Sequence, residues 1–209
     1  MISGNPYETM ADEYEAWFEE NDKLFAAEAE AIRQLLPEFE KGIEIGVGTG
    51  LFAHALGITE GAEPTAAMRK KAQARGIRVI DAFAEKLPIA GAVYDVALMV
   101  TVDCFLNDVP QAYRETRRIL KDEGVLIVAF LDRASPLGEV YERNKMSSPF
   151  YANANCHSAQ EVRSALESAG FEVCDMRQTV FSLENKEQEV KQGTGEGVFA
   201  VLKAKKKLN

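Results

Sequence analysis

The chain has 209 residues, of which 46% are hydrophobic and 27% charged, a composition typical of a soluble globular protein. Its formal net charge is -9, with nine acidic and two basic side chains among residues 1–35. Nucleic acids and anionic membranes are bound through clusters of Lys and Arg, so this charge argues against both as partners. The sequence shows neither a membrane-spanning apolar run nor a signal peptide, so we expect a cytoplasmic protein.

The first predicted elements are two helices within residues 1–36, separated by the polar pair Asn21-Asp22. Each helix would have one apolar face and one strongly acidic face. The apolar stripes consist of Met10, Tyr14, Trp17 and Phe18 in the first helix, and of Phe25, Ile32 and Leu36 in the second.

From residue 42 onward, short apolar strands alternate with amphipathic helices. This alternation predicts a parallel sheet that is covered by helices on both faces. The predicted strands are 43–45, a weak strand ending at 61–64, 77–80, 94–100 and 125–130, and the predicted helices are 50–56, 65–75 and 109–120.

Residues 132–157 are predicted to be irregular. A capping box of Ser158 and Glu161 then predicts a helix over 159–169. The last two strands, 171–181 and 197–204, follow each other without a helix, so we expect them to be antiparallel neighbours.

Three glycines, Gly46, Gly48 and Gly50, follow the first strand and predict a close approach of the backbone to a ligand. A phosphate-binding P-loop would need Lys and Ser or Thr after the last glycine, where Leu51 and Phe52 stand. A dinucleotide fingerprint would need a third glycine at the position of Leu51, so this pattern argues against NAD(P) as well.

Further motifs accompany the glycines in "EIGVGTG". An acid, Glu63, follows Gly46 by seventeen residues in "GAEPTAAM", and "AEKLP", "YDVALMV" and "ETRRILKDEGVLIVAF" come later, after a tyrosine-rich opening segment, "YETMADEYEAWF". In this order and spacing the motifs cover nearly the whole chain. The sequence resembles the class I S-adenosylmethionine-dependent methyltransferases that act on small molecules.

The resemblance implies a fold and a division of the chain. The fold is α/β: a Rossmann-like, seven-stranded, mostly parallel sheet with an antiparallel last strand, helices on both faces and an N-terminal helical cap. Residues 1–209 would form one methyltransferase domain. Within it, 1–36 would be the cap, 37–131 the cofactor-binding half and 132–209 the substrate-side half.

The resemblance also implies S-adenosylmethionine as the cofactor. Gly46 and Gly48 would let the backbone approach its methionine part, Glu44 would hold the loop and the amino group, and Glu63 would accept hydrogen bonds from the ribose hydroxyls. The alternative for Glu63 is a solvated loop acid. The residues expected at the cofactor are Tyr14, Glu44, Gly46, Val47, Gly48, Glu63, Pro64, Phe83, Ala84, Glu85 and Thr101.

One position departs from the family pattern. Phe83 stands where an aspartate commonly faces the adenine amino group. Adenine would then be held by the backbone around Ala84 and by apolar contact with Phe83, and Asp81 is a candidate substitute for the missing acid.

The residues available for chemistry are few, because the cofactor carries its own activation and the protein must chiefly align the reactants. Asp103 would orient or deprotonate a substrate, or cap the next segment. His157 would begin a helix or act as a base, and Tyr14 would face the sulfonium or fix its helix to the core. Neither a catalytic triad nor a metal site is predicted, and three scattered cysteines favour reduced, buried thiols.

The function predicted from these observations is methyl transfer from S-adenosylmethionine to a small-molecule acceptor. Residues 132–157, with Tyr141, Phe150 and Tyr151, are expected to form the substrate pocket together with the N-terminal helices. Three alternatives stay open: an NAD(P)-dependent oxidoreductase, a non-catalytic cofactor-binding module, and a protein methyltransferase with an open groove.

Overall fold

The computed structural model describes residues 6–207 and contains, within them, eight strands in one mixed sheet. The strands are β1 (Gly42–Ile45), β2 (Glu60–Ala62), β3 (Arg78–Ile80), β4 (Tyr94–Val100), β5 (Leu120–Leu131), β6 (Phe171–Thr179), β7 (Lys191–Gln192) and β8 (Phe199–Lys206). Their order across the sheet is β3-β2-β1-β4-β5-β8-β6-β7. Strands β1 to β5 are parallel, β8 is antiparallel to both β5 and β6, and β7 is antiparallel to β6.

Helices cover both faces of this sheet, and each face has its own apolar layer. Alternate residues of β4 face the two layers: Ala97 and Met99 belong to one, and Val96 and Leu98 to the other. The helices are α1 (Pro6–Thr9), α2 (Ala11–Glu20), α3 (Asp22–Arg33), α4 (Leu51–Leu56), α5 (Ala66–Ala74), α6 (Val109–Ile119), α7 (Pro136–Asn144) and α8 (Ala159–Ser168).

The predicted Rossmann-like architecture is confirmed, including the helix break at Asn21 and the antiparallel last strand. The sheet has eight strands instead of seven because two residues of the loop before β8 pair with β6 as β7. The capping box of Ser158 and Glu161 is present at the start of α8.

The prediction that 132–157 is irregular is wrong for α7 and for a short 3-10 turn, Lys145–Ser147. The side chain of Ser135 accepts a hydrogen bond from the backbone N–H of Gly138, and Pro136 occupies the first turn, where its missing N–H costs nothing. A Cβ on Gly138 would lie 2.0 Å from the carbonyl oxygen of Asp132, so this turn requires glycine for close packing.

Candidate functional site

A cavity of about 350 Å³ opens at the carboxyl ends of β1, β2 and β4. Ligands bind at this edge of open parallel sheets, where the strand order reverses. Strand β1 is the switch point here, since β2 lies on one side of it and β4 on the other. One end of the cavity is formed by the glycine loop (residues 46–50) with the segment after β2, and the other by α1, α2 and residues 149–153.

The glycine loop uses left-handed backbone conformations at all three glycines, with φ of +72° at Gly46, +54° at Gly48 and +84° at Gly50. A Cβ on Gly46 would lie 2.4 Å from Cγ2 of Val102, so packing within the protein requires a glycine there. A Cβ on Gly48 would meet no protein atom within 4 Å, and Gly48 borders the cavity. The space in front of Gly48 is therefore open to a ligand.

Glu63 lies at the carboxyl end of β2 and borders the cavity. Its Oε2 accepts a hydrogen bond from the N–H of Gly48 at 3.1 Å, and its Oε1 accepts one from the N–H of Thr65 at 2.8 Å. The residue is only 7% exposed, which excludes the alternative of a solvated loop acid. This carboxylate joins the glycine loop to the start of α5.

Glu44 lies on β1 below the glycine loop and is 2% exposed. Burial raises its pKa well above the usual value, against the opposing effect of the Ala53 backbone N–H. Its Oε2 has no hydrogen-bond partner among residues 6–207. Neither Glu44 nor Val47 lines the cavity, and Val47 instead packs against Gly61.

The other residues expected at the cofactor line the cavity, and one of them, Glu85, also has hydrogen-bond partners within the protein. Phe83 is 63% exposed and borders the cavity beside the buried Ala84. Glu85 borders it too, but its Oε1 accepts hydrogen bonds from the N–H groups of Asn107 and Asp108 at 3.0 and 3.4 Å. Pro64, Thr101 and Tyr14 also line the cavity, whereas Asp81 is exposed and pairs with Arg69.

Thr101, directly after β4, has a left-handed backbone with φ of +50°. This conformation is unfavourable for a β-branched residue, and such strain clusters at functional sites. The backbone N–H of Thr101 donates to the carbonyl oxygen of Ala129 at 2.8 Å. The sequence does not indicate a left-handed backbone at Thr101, because such a conformation is normally expected at glycine and not at a β-branched residue.

Five aromatic side chains line the cavity, and we call them the aromatic wall: Tyr7, Tyr14, Phe105, Phe150 and Tyr151. The ring of Tyr7 lies 5.4 Å from that of Phe105 and 5.5 Å from that of Phe150, centroid to centroid. The Tyr7 hydroxyl donates to the carbonyl oxygen of Phe150 at 3.3 Å. Burial raises the pKa of Tyr7, Tyr14 and Tyr151, so the three phenols are uncharged near neutral pH.

Asp103 and His157 contact each other, although the sequence analysis considered them separately. Nδ1 of His157 lies 2.9 Å from Oδ2 of Asp103, which is 2% exposed. The Asp103 carboxylate raises the pKa of His157. Neither side chain lines the cavity, so the pair connects the segment after β4 to the start of α8. Beside it, Cys104 and Cys156 are buried thiols as expected, whereas Cys174 is exposed, contrary to the prediction.

Ion pairs hold the N-terminal helices against the body of the protein. Glu15 of α2 pairs with Lys71 of α5 at 2.8 Å and also with Arg75, and Asp12 pairs with Lys71 as well. Part of the acidic N-terminal face therefore contacts a basic helix face. The same pairs hold Tyr14 of α2 in the lining of the cavity.

Comparison with known proteins agrees with this geometry. A protein of Thermotoga maritima, described as a SAM-dependent methyltransferase and possible histamine N-methyltransferase, is 43% identical to this chain and superposes with a TM-score of 0.92 over 96% of this chain and 98% of its own. The chain belongs to the class I S-adenosylmethionine-dependent methyltransferases. The family model described as methyltransferase domain matches residues 43–128 of this methyltransferase.

Two further comparisons extend the relationship. An uncharacterized protein of Methanocaldococcus jannaschii is 40% identical to the methyltransferase over 204 residues, which are 97% of this chain and 99% of that protein. An S-adenosylmethionine-dependent methyltransferase of Mesorhizobium loti is 18% identical with a TM-score of 0.66, covering 85% of this chain and 97% of that one, and this likeness shows the fold alone.

The methyltransferase is an enzyme that uses S-adenosylmethionine as its cofactor. Within residues 6–207, the structure has no helix with the length and apolar character that a bilayer crossing requires. The same residues contain no group of three or more His, Cys, Asp or Glu side chains that could hold a metal ion.

Proposed function

We propose that this methyltransferase transfers the methyl group to a small molecule that binds at the aromatic wall. The cavity itself carries the proposal: one end is the glycine loop with Glu63, the other is the aromatic wall, and its volume is about 350 Å³. Helices α1 and α2 cover it and are held by the ion pairs to α5. A protein methyltransferase would need an open groove at these helices.

The residues at the glycine-loop end fit S-adenosylmethionine. The space at Gly48 is open. Glu44 lies below the loop and outside the lining, and we assign the ammonium group of the cofactor to its buried carboxyl oxygen, which has no partner among the described residues. We assign the ribose hydroxyls to Glu63 and the adenine to the backbone at Ala84, with Phe83 beside it. Pro64, Glu85 and Thr101 line this end, whereas Val47 packs against Gly61 outside the lining. Tyr14 belongs to the aromatic wall. The cofactor supplies an activated methyl group, and the protein aligns it with the acceptor.

A small acceptor is also consistent with the Thermotoga maritima relative, whose description names a small amine as its possible substrate. That description refers to the relative. For this chain, the description of the relative supports a small acceptor, which the volume of the cavity also favours.

Titration calorimetry with S-adenosylhomocysteine, NAD and NADP tests the cofactor site. We expect micromolar binding of S-adenosylhomocysteine and no binding of the nicotinamide nucleotides. Binding of NAD or NADP instead would contradict the assignment of the cavity.

A second experiment tests the acceptor. Methyl-labelled S-adenosylmethionine is incubated with the enzyme and an extract of the source cells, which is then separated by size. We expect the label in the low-molecular-weight fraction, and we expect no label there in a control without the enzyme. Label in the protein fraction would identify a protein methyltransferase, and enzyme that binds the cofactor but labels nothing would identify a non-catalytic module.

A further inference from the structure

The charges around the cavity restrict the acceptor. The described residues that line it include two carboxylates, Glu63 and Glu85, and no Lys, Arg or His. Residues 1–5 and 208–209 contain no ionisable side chain in their sequence either. A carboxylate or phosphate on the acceptor would therefore meet no cationic side chain among the described residues that line the cavity. It would instead face the electron-rich aromatic rings, which repel anions.

The phenols of the aromatic wall do not act as bases. Burial raises the pKa of Tyr7, Tyr14 and Tyr151, so each keeps its proton near neutral pH. The hydroxyl of Tyr7 already donates to the carbonyl oxygen of Phe150. At this end of the cavity the protein offers uncharged rings and hydroxyl groups.

The remaining candidates for a base have other partners or other positions. Glu63 and Glu85 accept backbone N–H groups and lie, in the proposed function, on the cofactor side. His157 is paired with Asp103 and does not line the cavity. Burial raises the pKa of Glu28 to about 8, but Glu28 also lies outside the lining. An alcohol or phenol, which must lose a proton to be methylated, would find no base at the aromatic wall among the described residues.

We propose that the acceptor is an uncharged amine nitrogen and that the aromatic wall binds the ammonium ion that results. The inference rests on the proposed function. The nitrogen lone pair forms the new N–C bond, the electron pair of the broken C–S bond stays on sulfur, and the positive charge passes from sulfur to nitrogen. The amine gives its proton to bulk water before it binds, so the nitrogen lone pair is free without a protein base. Any N–H proton left on the product passes to water after release. Aromatic faces attract the cation and repel anionic competitors.

Binding of three probes of matched shape tests the aromatic wall without turnover. The enzyme is saturated with S-adenosylhomocysteine and titrated with choline, with its uncharged carbon isostere 3,3-dimethylbutan-1-ol, and with the anion 3,3-dimethylbutanoate. We expect choline to bind about 2- to 30-fold more tightly than the alcohol, and the anion most weakly. Equal affinities, tighter binding of the alcohol or anion, or no binding of choline would each overturn the inference.

Two variants of Tyr7 distinguish the contribution of its aromatic face to cation binding from the contribution of its size. Tyr7→Phe keeps the aromatic face, and we expect it to keep the preference for choline over the alcohol. Tyr7→Leu removes one of the five rings of the aromatic wall and should bind choline with a smaller preference over the alcohol than Tyr7→Phe does. Equal preferences in the two variants would show that the aromatic face of Tyr7 does not select the cation.

The atom that is methylated is identified from the labelled product. With ¹³C-methyl S-adenosylmethionine, the carbon chemical shift of the product distinguishes N-methyl from O-methyl and S-methyl groups, and we expect N-methyl. An O-methyl or S-methyl product overturns the inference while leaving the proposed function intact. If S-adenosylhomocysteine does not bind at all, the proposed function itself fails.

Discussion

The two ends of the cavity are built in different ways. The glycine-loop end comes from one short stretch of chain and the strand next to it, and backbone N–H groups hold it. The N–H of Gly46 donates to the carbonyl oxygen of Ala62 at 2.8 Å, and that of Gly48 donates to the side-chain carboxylate of Glu63 at 3.1 Å. The aromatic wall joins three distant segments mainly by ring contacts, with Tyr7 and Phe150 separated by 143 positions. The glycine-loop end, built from local contacts, suits a cofactor that many enzymes share. The aromatic wall, built from distant segments, suits an acceptor that is specific to one enzyme.

The largest expected effect is at the glycine-loop end. Gly48→Val should weaken S-adenosylhomocysteine binding about 100-fold or more, because the side chain enters the cavity and a β-branched residue at φ of +54° adds about 1–3 kcal/mol of strain. Calorimetry measures the loss. Gly57→Val is the matched control, since Gly57 has φ of +75° and open space but caps α4 away from the cavity. Similar losses in both variants would contradict the placement of the ligand at Gly48.

Glu63→Ala should weaken the same ligand about 10- to 100-fold, because it removes charge-assisted hydrogen bonds to the ribose of about 1.5–3 kcal/mol each before relaxation. The variant also leaves the N–H groups of Gly48 and Thr65 without their acceptor, so thermal unfolding is recorded in parallel. Glu63→Gln keeps the size of the side chain and should lose less affinity. Unchanged affinity in folded Glu63→Ala would remove Glu63 from the ribose site.

A smaller effect is expected where the N-terminal helices meet α5. Lys71→Ala breaks the pair with the partly buried Glu15, worth about 0.2–1 kcal/mol, and the pair with the exposed Asp12, which adds little because solvent screens it. We expect affinity for S-adenosylhomocysteine to fall about 2- to 10-fold, and the difference from wild type to shrink at high salt. Lys70→Ala on the exposed side of the same helix should have no effect. Equal affinities of the two variants for S-adenosylhomocysteine would mean that the ion pairs do not hold α1 and α2 over the cavity.

The smallest expected effect concerns His157 and pH. Asp103 raises the pKa of His157 in the folded protein, so protonated His157 stabilises the fold fully below the unfolded value of about 6.5, and the stabilisation disappears as the pH rises through the raised pKa. His157→Gln should cost about 0.5–1 kcal/mol in acid, because solvent screens this partly exposed pair, and less in alkali. Urea unfolding at several pH values measures it, with His54→Gln as the exposed control. A cost that does not vary with pH would exclude the ion pair as its cause.

The difference between the two ends explains how far the sequence could be interpreted. The glycine loop and Glu63 were predictable as a group because their contacts lie within one strand–helix–strand unit of fixed spacing. Phe105 was not singled out for the aromatic wall, since its contact with Tyr7 depends on how distant segments fold together. Asp103 and His157 were each considered, but their pairing spans 54 positions.

Helix α7 shows a different kind of limit. Its start has a capping serine followed by proline, but the glycine at position 138 and the polar residues around it suppress the helical pattern. The glycine is explained only by the neighbouring carbonyl of Asp132, which a Cβ would meet at 2.0 Å. Close packing against the turn that precedes α7 therefore requires a residue whose low helix propensity argues against a helix at this position.

The position of β8 has a consequence for how the protein is made. This strand lies between β5 and β6, although it follows both in the chain. While a ribosome is still producing the segment before Phe199, β5 and β6 each lack a neighbour, and open strand edges of this kind invite aggregation. The nascent chain therefore completes its central sheet only after residues 199–206 have emerged, and until then both edges are open to pairing with other chains.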